Sequence, residues 1–117
     1  MKLKHAILLL LPIPAIAGRA DVVDVDVRCD DESVCRFSVT VKHDDAGWEH
    51  YADRWEVLTP DGDVIATRVL AHPHDDEQPF TRSLGGVKIP NGITEVRVRA
   101  RDSKHGYGGR EMTVSLP

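Results

Sequence analysis

Apolar and polar residues alternate with a period of two through much of the chain beyond residue 20, and no stretch carries a convincing helical period. In Val23-Asp24-Val25-Asp26-Val27-Arg28-Cys29 the apolar positions are all odd, and they are odd again in Cys35-Arg36-Phe37-Ser38-Val39-Thr40-Val41-Lys42-His43. Residues i and i+2 of a strand share a face, so Cys29 and Cys35 are predicted on the same core face as Val27 and Phe37. The mostly polar residues 30–34 between them read as a hairpin turn. Further strands are predicted over residues 51–59, with Tyr51, Trp55 and Val57 on one side, and over 64–70, 94–101 and 111–116. A weaker strand over 80–84 is ended by Gly85-Gly86. Pro60-Asp61-Gly62-Asp63 and Ile89-Pro90-Asn91-Gly92 carry turn chemistry.

About seven short strands separated by turns predict an all-β fold, an immunoglobulin-like β-sandwich. Trp55 suits the buried tryptophan of its third strand. A small open β-barrel is the alternative architecture.

The first residues break this pattern. Lys2, Lys4 and His5 precede an apolar run over residues 6–16, and small residues follow at Ala15, Ala17, Gly18 and Ala20. That order is a secretory signal peptide, and its apolar run is shorter than the ~20 residues that span a bilayer. Residues 1–17 are therefore expected to be removed, since A-I-A sets alanine at both recognised positions; cleavage after Ala20 is the alternative. Residues 18–117 then form one domain, periplasmic or secreted. No later segment is apolar enough to span a membrane.

Losing Lys2 and Lys4 makes the formal net charge, −4 for the whole chain, more negative still. An acidic domain is repelled by nucleic-acid phosphates, which sets nucleic-acid binding aside. The two cysteines of the chain, Cys29 and Cys35, are expected to form a disulfide in an oxidising compartment. Closing so short a loop stabilises by ~2–3 kcal/mol on the chain-entropy model. Two reduced thiols holding a metal are the alternative.

Histidine is in surplus, with His43, His50, His72, His74 and His105 beyond the signal, each at a strand end or in a loop. The loop from His43 to His50 and the loop carrying His105 are expected at one end of the sandwich. There, three imidazoles would make a site for copper, iron or zinc. In His72-Pro73-His74 an extended backbone sets both imidazoles on one side, with Asp75, Asp76 and Glu77 beside them as oxygen ligands or orienting groups.

The segment His43-Asp44-Asp45-Ala46-Gly47-Trp48-Glu49-His50-Tyr51-Ala52-Asp53-Arg54-Trp55-Glu56-Val57 resembles the H-P-x-x-x-x-H-Y-I-x-W-I-x-V segment of superoxide reductases and desulfoferrodoxins. Arg101-Asp102-Ser103-Lys104-His105-Gly106-Tyr107 is similar to their C-N-x-H-G-x-W segment. The resemblance implies an immunoglobulin-like domain with iron-ligating histidines at His43, His50 and His105, but the iron-binding cysteine falls on Asp102. The chain also resembles a group of small secreted bacterial proteins with no settled activity. It shares their patterns G-W-x-H-Y-A-D-x-W, H-P-H-x-x-E-Q-P-F-T-R-S-L and D-S-x-H-G-Y-G-G at residues 47–55, 72–84 and 102–109.

Other motifs say less. Ser83 and Ser103 lack a nucleophile-elbow context. Gly106-Tyr107-Gly108-Gly109 has no helix after it and reads as a turn rather than a phosphate cradle. Asp53 and Glu56 are predicted on opposite strand faces. Arg97, Arg99 and Arg101 form a solvated stripe or one that receives carboxylates from a partner or a neighbouring strand.

The expected function is an exported, metal-binding sandwich. One alternative is a non-enzymatic interaction module that binds an envelope protein through Trp48, Tyr51, Phe80 and Tyr107. The other is a superoxide-reductase-like redox protein.

Overall fold

The structure, a computed structural model, describes residues 4–5 and 18–117. The rest of the expected signal peptide lies outside the described residues.

The described residues form eight strands: β1 (Lys4–His5), β2 (Asp21–Cys29), β3 (Val34–Lys42), β4 (Ala52–Leu58), β5 (Val64–Val69), β6 (Phe80–Lys88), β7 (Glu95–Asp102) and β8 (Met112–Ser115), the last seven from the alternating segments. They form two antiparallel sheets in the orders β1-β2-β3-β6 and β5-β4-β7-β8. From β2 onward this is the immunoglobulin-like sandwich that the turns and alternation predict. No helix among the described residues is long and apolar enough to cross a membrane.

The core lies between the sheets. One sheet contributes Val22, Val25, Val27, Phe37, Val39 and Val41; the other contributes Trp55, Val57, Val96, Val98 and Val114, all fully buried. Each such side chain contributes about 1.5–3 kcal/mol of transfer free energy. Trp55 is the central tryptophan the pattern called for.

Cys29 and Cys35 face each other in the β2–β3 register and are joined by a disulfide that staples the mouth of the hairpin. The turn itself is held by Asp30, whose Oδ1 accepts from the backbone N–H groups of Glu32 and Val34. Both cysteines are oxidised, which removes the thiol-ligand alternative.

Three local expectations are corrected, each by a β-bulge, where one extra residue shifts the period-two count. In β2 the register slips between Val22 and Asp24, so Val22 is buried and Val23 is exposed. The strand at Phe80 does not end at Gly85-Gly86 but continues to Lys88, with the register shift opposite Cys35 and Phe37 and Gly86 at φ +69°. Glycine takes that conformation without a Cβ clash. A bulge between Ala52 and Arg54 brings Asp53 onto the same face as Glu56. Both then meet the arginine stripe of β7: Glu56 Oε1 accepts from Arg99 Nε at 2.9 Å and Asp53 Oδ2 accepts from Arg101 Nη1. Arg97 lies 3.5 Å from Glu111. The stripe is thus paired with two carboxylates of β4 and with Glu111, just before β8.

Candidate metal centre

The site forms where β3 ends and β4 begins, beside the end of β7. His43 follows β3 directly. The chain then loops back on itself, with Asp45 N donating to His43 O, Ala46 N to His50 O and His50 N to Gly47 O. Tyr51 is tied to the end of β7 by two bonds, Tyr51 N to Ser103 Oγ and Ser103 N to Tyr51 O. These ties set His50 beside Asp102, the last residue of β7.

Asp102 is fully buried. Its Oδ1 accepts from Lys104 N at 2.6 Å and from His105 N at 2.8 Å, which fixes the carboxylate and leaves Oδ2 facing the histidines. Oδ2 contacts His43 Nε2 and lies 2.7 Å from His50 Nε2. The three ligand atoms all lie within 4.8 Å of one another. The carbonyl oxygen of Gly18 closes another side, 3.1 Å from His50 Nε2 and 3.3 Å from His43 Nε2. His105 stands edge-on to His50 with ring centroids 5.0 Å apart. The side chains of His43 and Asp102 are inaccessible and that of His50 is 22% exposed, so His50 and the exposed His105 lie on the solvent side.

Behind His43 stands a second buried carboxylate. Asp45 Oδ1 lies 2.5 Å from His43 Nδ1 and also accepts from Ala52 N. Its Oδ2 accepts from His74 N at 2.6 Å. Burial opposes the charge on His43, but the hydrogen bonds to Asp45 and Asp102 outweigh it and raise its pKa above the ordinary value. Burial likewise opposes the charge of Asp102. The backbone N–H groups of His105 and Lys104, with His43, more than offset it and lower its pKa. Without a metal, the two carboxylates therefore favour the imidazolium form of His43.

A divalent ion can take the place of the Nε2 proton. His43 would then keep its Nδ1–H on Asp45, the carboxylate–histidine–metal arrangement that fixes tautomer and ring orientation. Ligands ~2.0–2.1 Å from a tetrahedral ion stand about 3.3 Å apart, the spacing already present between Gly18 O and both imidazoles. The Asp102 contacts are of hydrogen-bond length and would open by more than about 0.5 Å, further at His43 than at His50, around an ion of that size.

The structure thus brings His43, His50 and His105 to one end of the sandwich, as the loop argument expected. His72 and His74 do not join them. Their rings are 4.8 Å apart, but His74 is buried and stacks on Phe80 with centroids at 4.0 Å, while His72 is exposed. Burial, Arg82 and His72 lower the pKa of His74, favouring neutral imidazole. The loop carrying them braces the site: His74 N donates to Asp45, and Gln78 Oε1 accepts from His43 N at 2.8 Å. Asp75 accepts from Gly47 N.

The expected aromatic patch is split. Trp48 is 67% exposed and meets Tyr51 edge-on at 5.7 Å. Phe80 is in the core, because the even-odd phase of β6 turns it inward opposite Val41. Tyr107 lies beneath the Arg99 guanidinium, 3.8 Å from its ring centroid.

Sequence reasoning missed Asp45 as the support of His43, and it gave Asp102 no ligand role. The only signal for Asp102 was its alignment with the cysteine of the superoxide reductase segment. Gly18 was invisible as a contributor, since a backbone carbonyl leaves no mark on a sequence.

The chain is similar to a protein of Halomicrobium mukohataei provisionally named a lipoprotein, with 46% identity over 95 residues, 81% of this chain. The chain spans about half, 46%, of that relative's length. No family model and no solved structure matches the chain, and no comparison shows the expected likeness to superoxide reductases.

Proposed function

We propose that this is an exported protein whose sandwich holds one divalent transition metal through His43 Nε2, His50 Nε2 and Asp102 Oδ2, with His105 as a neighbouring ligand. One observation carries the reading: two imidazole nitrogens from one loop converge on a single carboxylate oxygen, and a second carboxylate orients the more buried imidazole. Imidazole and carboxylate together suit zinc, copper or iron. Export is supported by the basic-apolar-small order of the first residues, by the disulfide, and by the lipoprotein name of the relative.

A redox centre of the superoxide reductase kind is disfavoured. A carboxylate stands where that resemblance expects a thiolate, and both cysteines of the chain are in the disulfide. Trp48, exposed and braced by Tyr51, favours a second reading in which the loop from His43 to His50 also meets an envelope protein.

Calorimetric titration with zinc, copper(II) and iron(II) tests the metal reading. One equivalent should bind with a Kd of about micromolar or tighter, weakened at least tenfold in His50→Ala and in Asp102→Asn. Absence of uptake below millimolar for all three metals would remove it.

A further inference from the structure

The residues just beyond the expected cleavage point are built into the domain. Ala20 is buried, and Asp21 begins β2. The Arg19 guanidinium donates from Nη1 to His105 O at 2.9 Å and to Tyr107 O at 2.6 Å. Arg110 N donates to Asp21 Oδ1 at 2.6 Å, and Val22 N to Arg110 O at 2.8 Å.

The glycines of Gly106-Tyr107-Gly108-Gly109 make this grip possible. A Cβ on Gly109 would fall 1.9 Å from Ala20 O, and one on Gly108 would fall 2.8 Å from Arg19 Nη1. The loop is therefore shaped around residues 19–21, and those residues hold Gly18 over the histidines. A Cβ on Gly18 would stand 3.1 Å from His105 Nε2 and 3.6 Å from His50 Cε1, so the backbone of Gly18 lies against both rings.

Cleavage after Ala17 would make Gly18 the first residue, whereas cleavage after Ala20 would discard the carbonyl that faces His43 and His50 and the arginine that locks it. We infer that export processing after Ala17 completes the metal site by freeing the α-amino group of Gly18, which binds the ion together with the imidazoles.

This inference rests on the metal reading of the same site. Covalent geometry keeps the amine within about 3.6 Å of the Gly18 carbonyl oxygen, and that oxygen is already at ligand spacing from both imidazole nitrogens. Amine nitrogen and carbonyl oxygen of one residue close a five-membered chelate ring. Freed from its peptide bond, the amine can turn about the Cα–C bond toward the ion. A donor set of one amine and several imidazoles shifts the preference toward copper(II), which heads the affinity order for nitrogen ligands.

The test compares three preparations of residues 18–117: one starting at Gly18, one with a single preceding Ala17, and one starting at Gly18 with its amine acetylated. Copper(II) affinity is measured by competition titration and the metal-free melting temperature by calorimetry. The free Gly18 form should bind copper at least tenfold tighter than the other two, with metal-free melting temperatures alike. Equal affinities would overturn the amine ligand while leaving the histidine–aspartate site standing. No binding by any form would overturn both. The N-terminal residue of the exported protein should be Gly18; any other start would also overturn the inference.

Discussion

His50 Nε2 lies 2.7 Å from Asp102 Oδ2 although 52 positions separate the two residues along the chain. The bonds between Tyr51 and Ser103 create this meeting by tying the start of β4 to the end of β7. His43 reaches the same oxygen from the other side, and Asp45 holds it there. The consequences below follow from that arrangement.

His43 and His50 should separate stability from binding. His43→Ala leaves the buried carboxylates of Asp45 and Asp102 without their shared cation, which costs about 3–5 kcal/mol. His50 is partly exposed, and its replacement by alanine should cost under ~1.5 kcal/mol while reducing metal affinity at least tenfold. Urea unfolding of the metal-free proteins, beside metal titration of His50→Ala, checks both statements.

Asp45 should act on the metal without touching it. Asp45→Asn keeps an acceptor near His43 but removes the charge that fixes its tautomer, so metal affinity should fall 10–100-fold. His50 should remain a ligand in this variant. Imidazole nitrogen NMR shifts on zinc addition would show His50 still perturbed.

The pH dependence has a definite sign. The folded pKa of His43 lies above its ordinary value of 6.5, so its contribution to metal-free stability is fully present below that value. The contribution is lost as pH rises through the raised folded pKa. The metal competes with the Nε2 proton, so affinity should rise with pH across the same window. Across that window the metal-free denaturant midpoint should fall while the metal-loaded midpoint stays nearly level, because the rising affinity offsets the loss, and His43→Ala should abolish the metal-free trend.

The disulfide should matter for stability and not for the site. Cys29 and Cys35 sit at the end of the β2–β3 hairpin remote from His43, which follows the other end of β3. Replacing both cysteines with serine should lower stability by ~2–3 kcal/mol and leave metal affinity within twofold in the folded protein. Unfolding curves and titrations on the double variant check this.

Much of the fold was legible because alternation is a local signal: the hairpin, the inward cysteines and buried Trp55 follow from counting odd and even positions. The three bulges were not legible, since a single extra residue is specified by the partner strand and leaves the local pattern unchanged. That is why local alternation misplaces Val23, Gly85-Gly86 and the shared face of Asp53 and Glu56. The histidines His43, His50 and His105 could be placed together because each abuts a strand end. Asp102 could not, because an aspartate closing a strand reads as an ordinary solvent-facing end; only the packed loop makes it the shared acceptor. His72 and His74 look like a chelating pair in sequence, but the stacking of His74 on Phe80 depends on tertiary contact.

The most direct test is a crystal of the protein grown with zinc or copper(II) and measured at the metal's absorption edge. The account predicts one anomalous peak about 2.0–2.2 Å from His43 Nε2, His50 Nε2 and Asp102 Oδ2. A peak confined to His72 and His74, or no bound metal with the His43–Asp102 contact intact, would contradict it.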